Sequence, residues 1–237
     1  METGLYLIPT TLGDFNTADK VLPNYNIIVT HKIKIFIVEQ VRTARRFLKK
    51  IKHPVEIDNM TFLELNKHTD YSKVSHYLDS IKLGESIGLL SEAGTPCIAD
   101  PGSVIVKQAH EKSVKVFPLV GPNSIILSLM ASGFNGQNFS FHGYLPVEKN
   151  LRVKSLQKLE SLCSIDKQTQ IFIETPYRNS SLFSSILKHC NSNTYLCIAS
   201  NISLDSQYIR TLSISQWKKE KVDLDKKPTI FLLSKGI

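Results

Sequence analysis

The sequence predicts an α/β fold in two halves, on three observations. Short continuous apolar runs, Ile35–Val38 and Ile87–Leu90 among them, alternate with segments of helical periodicity. That alternation marks buried parallel strands joined by crossover helices. Over Gly133–Asn138 the chain turns polar and glycine-rich, and a second series of strands and helices begins there. The length, 237 residues, suits one or two domains. We expect a mostly parallel sheet over residues 1–120, a mixed sheet over 121–237, and a ligand cleft between the halves at loops leaving strand C-termini.

Each element has its own signal. Leu5–Ile8 is a short apolar strand that Pro9 breaks, and Pro9–Asp14 follows as a loop of turn formers. Ala18–Thr30 is ambiguous, because Pro23 interrupts it and Ile27-Ile28-Val29 suits helix or strand. Ile35–Val38 is a strand. A helix follows from about Gln40, with Val41, Ala44, Leu48 and Ile51 on one face and Arg42, Arg45, Arg46 and Lys49 on another, stopped by Pro54. Lys73–Leu83 reads as helix, Ile87–Leu90 as strand, Ser103–Lys112 as helix, Val114–Leu119 as strand and Asn123–Ala131 as helix. In the second half Phe139–Phe141, Ile171–Glu174, Tyr195–Ala199, Gln207–Ser213 and Pro228–Leu233 read as strands. Leu151–Leu162 and Asn179–His189 read as helices, with a short helix near Trp217.

Composition excludes several classes. With 42% apolar and 21% charged residues, the chain is neither disordered nor fibrous. No apolar run reaches the ~18 residues that cross a bilayer, and Met-Glu-Thr-Gly-Leu at the start lacks the pattern of a signal peptide. Cys97, Cys163, Cys190 and Cys197 form no Cys-x-x-Cys pair, and the seven histidines are scattered. The expectation is therefore a cytoplasmic protein with reduced thiols, no membrane segment and no metal site. The net charge is +8, and its placement matters more than its sum. Residues 31–53 hold eight Lys or Arg against Glu39 alone, so nearly all of the excess sits in that segment. Arg42, Arg45, Arg46, Lys49, Lys50 and Lys52 suit RNA phosphates, a solvated face or a dimer contact.

Three loops at strand ends suit chemistry. Ser91-Glu92-Ala93-Gly94-Thr95-Pro96 leaves a buried strand and runs on to Asp100-Pro101-Gly102; small residues there let a ligand approach the backbone, or make an ordinary strand-to-helix connection. Gly121-Pro122-Asn123-Ser124 is either a helix start with amides free for a ligand or simply a well-made helix start. Glu174-Thr175-Pro176-Tyr177-Arg178 gathers a carboxylate, a phenol and a guanidinium, with Arg178 either contacting an anion or simply pairing with Glu174. Neither a Gly-x-Gly-x-x-Gly fingerprint nor a phosphate-loop lysine motif is present, which argues against Rossmann dinucleotide and P-loop enzymes.

Taken together and in order, these loops resemble the tetrapyrrole methylase superfamily of S-adenosylmethionine-dependent methyltransferases. The closer resemblance is to its branch that methylates ribose 2′-hydroxyls of small-subunit ribosomal RNA. Leu5-Tyr6-Leu7-Ile8-Pro9-Thr10-Thr11-Leu12-Gly13 is similar to that branch's opening strand and proline loop. Ser91–Gly102 resembles its Ser-Asp-Ala-Gly-Thr-Pro-x-Ile-Ser-Asp-Pro-Gly signature, and Gly121–Ser124, Ala131-Ser132-Gly133, Phe141–Pro146 and Glu174–Arg178 match shorter motifs. The resemblance implies two α/β domains with the cofactor in the cleft between them, usually in a homodimer. It places S-adenosylmethionine against Pro9, Ser91, Glu92, Ala93, Gly94, Thr95, Ile98, Gly121, Pro122, Asn123, Ser124, Glu174, Ala199, Pro228, Thr229 and Ile230. The chain also departs from the pattern. Gln40 stands for an aspartate, Glu92 for another, Leu63-Glu64-Leu65-Asn66 for His-Glu-His-Asn, and Ala199–Leu204 for Ala-Arg-Glu-Leu-Thr-Lys.

A ribose hydroxyl is a poor nucleophile, so a proton acceptor near it is expected. Glu39 and Glu64 are the candidate carboxylates, with Arg42 and Asn66 to orient; alternatively Glu39 pairs with Arg42 at i+3 and Glu64 is solvated. Arg42, Arg45, Arg46 and Lys49 are the candidate RNA contacts. Three activities fit the residues: an RNA methyltransferase, a methyltransferase of a small molecule or protein, and a non-catalytic relative that binds RNA or a partner.

Overall fold

The first strands form where apolar runs are buried on both faces. The computed structural model describes residues 1–66 and 68–236, apart from the side chains of Tyr71 and Lys73; Ile237, the last residue of the second expected half, lies outside them. Contacts divide the chain into Met1–Asn123 and Ser124–Ile237.

In the first unit, β1 (Leu5–Ile8), β2 (Ile35–Val38), β3 (Thr61–Glu64), β4 (Ile87–Leu90) and β5 (Val116–Pro118) make a sheet of order β3-β2-β4-β1-β5. All the pairings are parallel. β4 is buried at every position, and β2 at three of four. The strand β3 escapes a reading by hydrophobic runs because it is an edge strand whose residues are half-buried or exposed.

The ambiguous 18–30 segment is helical: α1 (Ala18–Val21) and α2 (Asn24–Thr30) flank Pro23, which stands just before α2. The basic helix is α3 (Val41–Lys50), with Ala44, Phe47 and Leu48 buried. It ends before Pro54, not at it. Lys52 adopts φ 53°, while the amides of Lys52 and His53 donate to the carbonyls of Lys49 and Leu48, the pattern of a Schellman stop. The helix expected over Lys73–Leu83 is broken. Only α4 (Tyr71–Val74) and a 3-10 turn at Asp79–Leu83 form. Ser75 donates to the Ser72 carbonyl at 2.9 Å, and such side-chain bonds compete with the helical ladder. The helix α5 (Ser103–Glu111) precedes β5, which is shorter than the expected 114–119.

In the second unit, α6 (Ser124–Ser132) leads to a mixed sheet of order β6-β7-β10-β8-β9. Its strands are β6 (Phe139–Tyr144), β7 (Thr169–Ile173), β8 (Tyr195–Ser200), β9 (Tyr208–Ser213) and β10 (Thr229–Ser234). β6 and β7 are parallel and the other pairings antiparallel. β10 is buried throughout. The helix α7 (Lys149–Ile165) starts earlier than expected because the Glu148 carboxylate accepts from the amides of Asn150 and Leu151. After it come α8 (Asn179–His189) and α9 (Ile214–Trp217), the latter with a Ser213/Gln216 capping box. Trp217 is fully buried, and its indole donates to the Leu196 carbonyl at 2.8 Å.

Candidate active site

In the first sheet β1 lies between β4 and β5, and all three release their loops at the same edge. The chain leaves β1 toward β2 and leaves β4 toward β5, in opposite directions across the sheet. That is a topological switch point, where open α/β sheets bind ligands.

The three loops hold one another. The Thr10 amide donates to the Gly94 carbonyl at 3.0 Å, and the Gly94 amide to Thr11 at 3.3 Å. The Thr10 hydroxyl donates to the Ser91 carbonyl at 3.2 Å, and the Ser91 hydroxyl to Gly94. Asn123 Nδ2 donates to Thr95 Oγ1 at 2.6 Å. Two glycines are needed for this. A Cβ on Gly94 (φ 74°) would meet Leu12 Cδ2 at 2.8 Å and the Pro122 carbonyl oxygen at 2.9 Å, and one on Gly121 would meet the Pro9 ring at 2.3 Å. The small residues read as room for a ligand therefore also serve the approach of loop to loop.

Beyond Gly94, Cys97 (φ 67°) and Ala99 (φ 61°) occupy the left-handed region, uncommon for residues with a side chain. Asp100 Oδ1 accepts from the amides of Cys97 and Gly102, each at 2.8 Å, and so fixes this turn. Ile98, between the two left-handed residues, is 50% exposed. Ala93 is exposed and Ser91 buried.

The catalytic candidates cluster in part. Glu39 directly follows β2, whose Val38 pairs with Glu64 at the end of β3. Asn66 Nδ2 donates to the Glu39 carbonyl at 3.4 Å. Burial, then the carboxylates of Glu92 and Asp100, push the Glu39 carboxyl above the ordinary glutamate value. Burial also raises Asp100, against the pull of its two backbone donors. Among the described residues Glu39 makes no ion pair with Arg42, so the i+3 alternative is absent here. Arg42 is exposed, as is Glu64, whose backbone carbonyl accepts from the Tyr77 hydroxyl at 2.6 Å. Glu92 Oε1 accepts from the Gln40 amide at 3.2 Å, at the start of α3.

The candidate RNA contacts separate. Arg45 is paired with the Asp58 carboxylate. The Arg46 guanidinium lies 5.9 Å from the centre of the Phe15 ring. Lys49 is exposed.

In the second unit Glu174 is fully buried at its side chain. Its Oε1 accepts from Arg178 Nε and Nη2 at 3.0 and 2.6 Å and from the Thr175 amide at 2.7 Å. Glu174 follows Ile173, the partner of Ile230, and Thr229 pairs with Ser200. The three polar residues thus share one end of β7, β10 and β8. Glu174 Oε2 and Ser200 Oγ are buried there without a hydrogen-bond partner among the described residues. Ala199, Thr229 and Ile230 are buried, Pro228 is exposed, and Ser124 is half-buried at the start of α6. Sequence reading passed over Ser200 and Phe15. Phe15 belongs to no motif, Ser200 stands in Ala199–Leu204 where the chain departs from the family's pattern, and each gains its place only through residues distant in sequence.

Comparison with known proteins decides the family. Ribosomal RNA small subunit methyltransferase I of Buchnera aphidicola subsp. Schizaphis graminum is 30% identical over 99% of this chain and 79% of its own length. The chain belongs to the ribosomal RNA small subunit methyltransferase I family. The member from Vibrio cholerae is likewise 30% identical, over 98% of this chain and 77% of its own. No family model matches the chain. Among solved structures the methyltransferase CobJ superposes with a TM-score of 0.64 at 11% identity, over 98% of this chain and 94% of that one. The cobalt precorrin-4 methyltransferase CbiF gives 0.60 at 11%, over 97% and 94%. These two likenesses show the fold alone, an architecture of two α/β units. Among the described residues no group of His, Cys, Asp and Glu is arranged to hold a metal ion, and no helix is long and apolar enough to cross a membrane.

Proposed function

We propose that the protein is an S-adenosylmethionine-dependent methyltransferase that acts on a ribose 2′-hydroxyl of small-subunit ribosomal RNA. The observation that carries this reading is family membership over nearly the whole chain, together with the switch-point loops at Pro9, Ser91–Thr95 and Gly121–Asn123. The residues fit the cofactor in each unit taken alone. The first offers an edge of loop backbone beside the exposed apolar Ile98. The second has two buried polar atoms, Glu174 Oε2 and Ser200 Oγ, that lack a partner and that a polar ligand would complete. In the first unit the cofactor contacts would be Pro9, Ser91, Glu92, Ala93, Gly94, Thr95, Ile98, Gly121, Pro122 and Asn123, and in the second Ser124, Glu174, Ala199, Pro228, Thr229 and Ile230.

When bound, S-adenosylmethionine supplies an electrophilic methyl group on a sulfonium. The chain supplies alignment and a proton acceptor. Glu39, with its carboxyl held above the ordinary value by burial and by Glu92 and Asp100, takes the proton of the attacking hydroxyl. Asn66 bonds to the Glu39 backbone and orients it. Glu64 at the end of β3 and Arg42 in the first turn of α3 stand exposed for the incoming nucleotide, and Arg46 and Lys49 for its phosphates. A cytoplasmic homodimer accords with this reading, and the four cysteines are all unpaired thiols. The test is to incubate the protein with methyl-labelled cofactor and small-subunit ribosomal RNA. Label is expected in the RNA, at a nucleotide that becomes resistant to alkaline cleavage. Label in protein or small molecules alone, or none, overturns the reading.

A further inference from the structure

We propose that a groove beside α3 holds the sugar–phosphate strand of the RNA next to the reacting nucleotide. The proposal rests on the RNA reading above and gives it a location. The groove has a volume of about 690 Å³. Arg46, Lys49, Lys50 and Lys52 line it from α3 and the turn that ends α3, and the loop over residues 13–16 lines it from the segment after β1. Glu92 and Ala93 line it as well, so it reaches the switch-point loop that follows β4.

The four cations are exposed, and among the described residues none of them forms an ion pair. Their partners are neutral: Lys50 Nζ donates to Asn16 Oδ1 at 2.5 Å, and Arg46 lies over the Phe15 ring. Asp14 is near enough to feel Lys50 and Arg46, but both its oxygens already accept from Asn16, from the amide and from Nδ2, each at 2.9 Å. Four cations therefore share one concave wall against two carboxylates, Asp14 and Glu92. Such a field is relieved by a polyanion. Positions 46, 49 and 50 are spaced i, i+3 and i+4, so their side chains emerge side by side along a track. The volume admits a short single-stranded segment, whereas an A-form duplex presents a much broader surface. Arg45, by contrast, is neutralised by Asp58 and does not line the groove.

The test reads the salt dependence of binding by fluorescence anisotropy. It uses the full chain without cofactor and a fluorescein-labelled 12-nucleotide oligouridylate RNA over 50–300 mM KCl. Each phosphate contact on a single strand contributes about 0.7 to the slope of log affinity against log salt. The R46A/K49A/K50A variant is expected to flatten that slope by about 2. The charge-keeping R46K/K49R/K50R variant should hold it, and Arg45→Ala should leave it alone. An unchanged slope in the alanine variant overturns the proposal. So does equal flattening by Arg45→Ala, which would mean diffuse charge, or displacement of the RNA by an equal charge concentration of polyglutamate, which would assign the groove to an acidic protein. Methyl transfer to ribosomal RNA by the unmodified protein is scored separately. Transfer with an unchanged alanine-variant slope sinks the groove alone, and groove binding without transfer sinks the enzymatic reading alone.

Discussion

Glu39 holds its proton more tightly in the folded chain than free in water, because burial and the carboxylates of Glu92 and Asp100 oppose its ionisation. The same shift has two consequences of opposite sign. A carboxylate of raised affinity is the better proton acceptor near neutral pH. Its ionisation also works against folding: the cost is absent below the ordinary glutamate value, appears as pH rises from there, and is complete above the raised folded-state value. Glu39→Gln is therefore expected to cut kcat by about 100-fold, the lower range for loss of a positioned base. The same change should raise the urea midpoint at pH 7, with the gain vanishing below about pH 4. A variant that keeps kcat shows that Glu39 is not the acceptor, and one that loses stability at pH 7 shows that its carboxyl is not held above the ordinary value. Glu92 illustrates how neighbouring residues share a role. Gln40 precedes α3 without a side-chain cap and the first turn has no acid; the Glu92 carboxylate, arriving from the loop after β4, accepts from the Gln40 amide instead and places negative charge at the helix start.

At the level of elements, the 71–83 segment is where local chemistry overrules periodicity. Val74 and Leu78 are buried at helical spacing, yet the amides of Tyr77 and Asp79 bond three residues back, to Val74 and His76, and the Tyr77 hydroxyl is drawn to the Glu64 carbonyl. Serines at 72, 75 and 80 lower the return on a continuous helix. Ser75→Ala with Ser80→Ala is expected to extend the helix and stabilise the protein by about 0.5–1 kcal/mol, read as added helical ellipticity and a higher urea midpoint; no gain in ellipticity would show that the Tyr77 tether, not serine, breaks the helix. What could be read in advance follows the same physics. β2 and β4 were legible because strands buried on both faces must be apolar at nearly every position. β3 was not, because an edge strand keeps Thr61 and Glu64 exposed. The Ser91–Gly102 and Gly121–Ser124 loops were legible as punctuation by small residues. That Gly94 and Gly121 are spent on Pro122, Leu12 and Pro9 was not, since those contacts join residues up to about a hundred positions apart and leave no local pattern.

Across the whole chain the net charge of +8 is not a general property of the surface. It belongs to residues 31–53, and the fold divides that segment again. Arg45 faces Asp58, while Arg46, Lys49, Lys50 and Lys52 face a shared groove. A field built this way acts over about one Debye length, roughly 10 Å at 0.1 M salt and 3 Å at 1 M. Its influence on catalysis should therefore appear as capture of the RNA and fade as salt rises. With R46A/K49A/K50A the KM for small-subunit ribosomal RNA is expected to rise about tenfold at 50 mM KCl. The difference from the unmodified protein should shrink to about twofold or less at 0.5 M KCl. The dissociation constant for S-adenosylmethionine, measured by calorimetry, should stay the same, because none of the three residues belongs to the loops assigned to the cofactor. A KM effect that persists undiminished at 0.5 M KCl would mean that the side chains act by shape or by specific bonding rather than by charge.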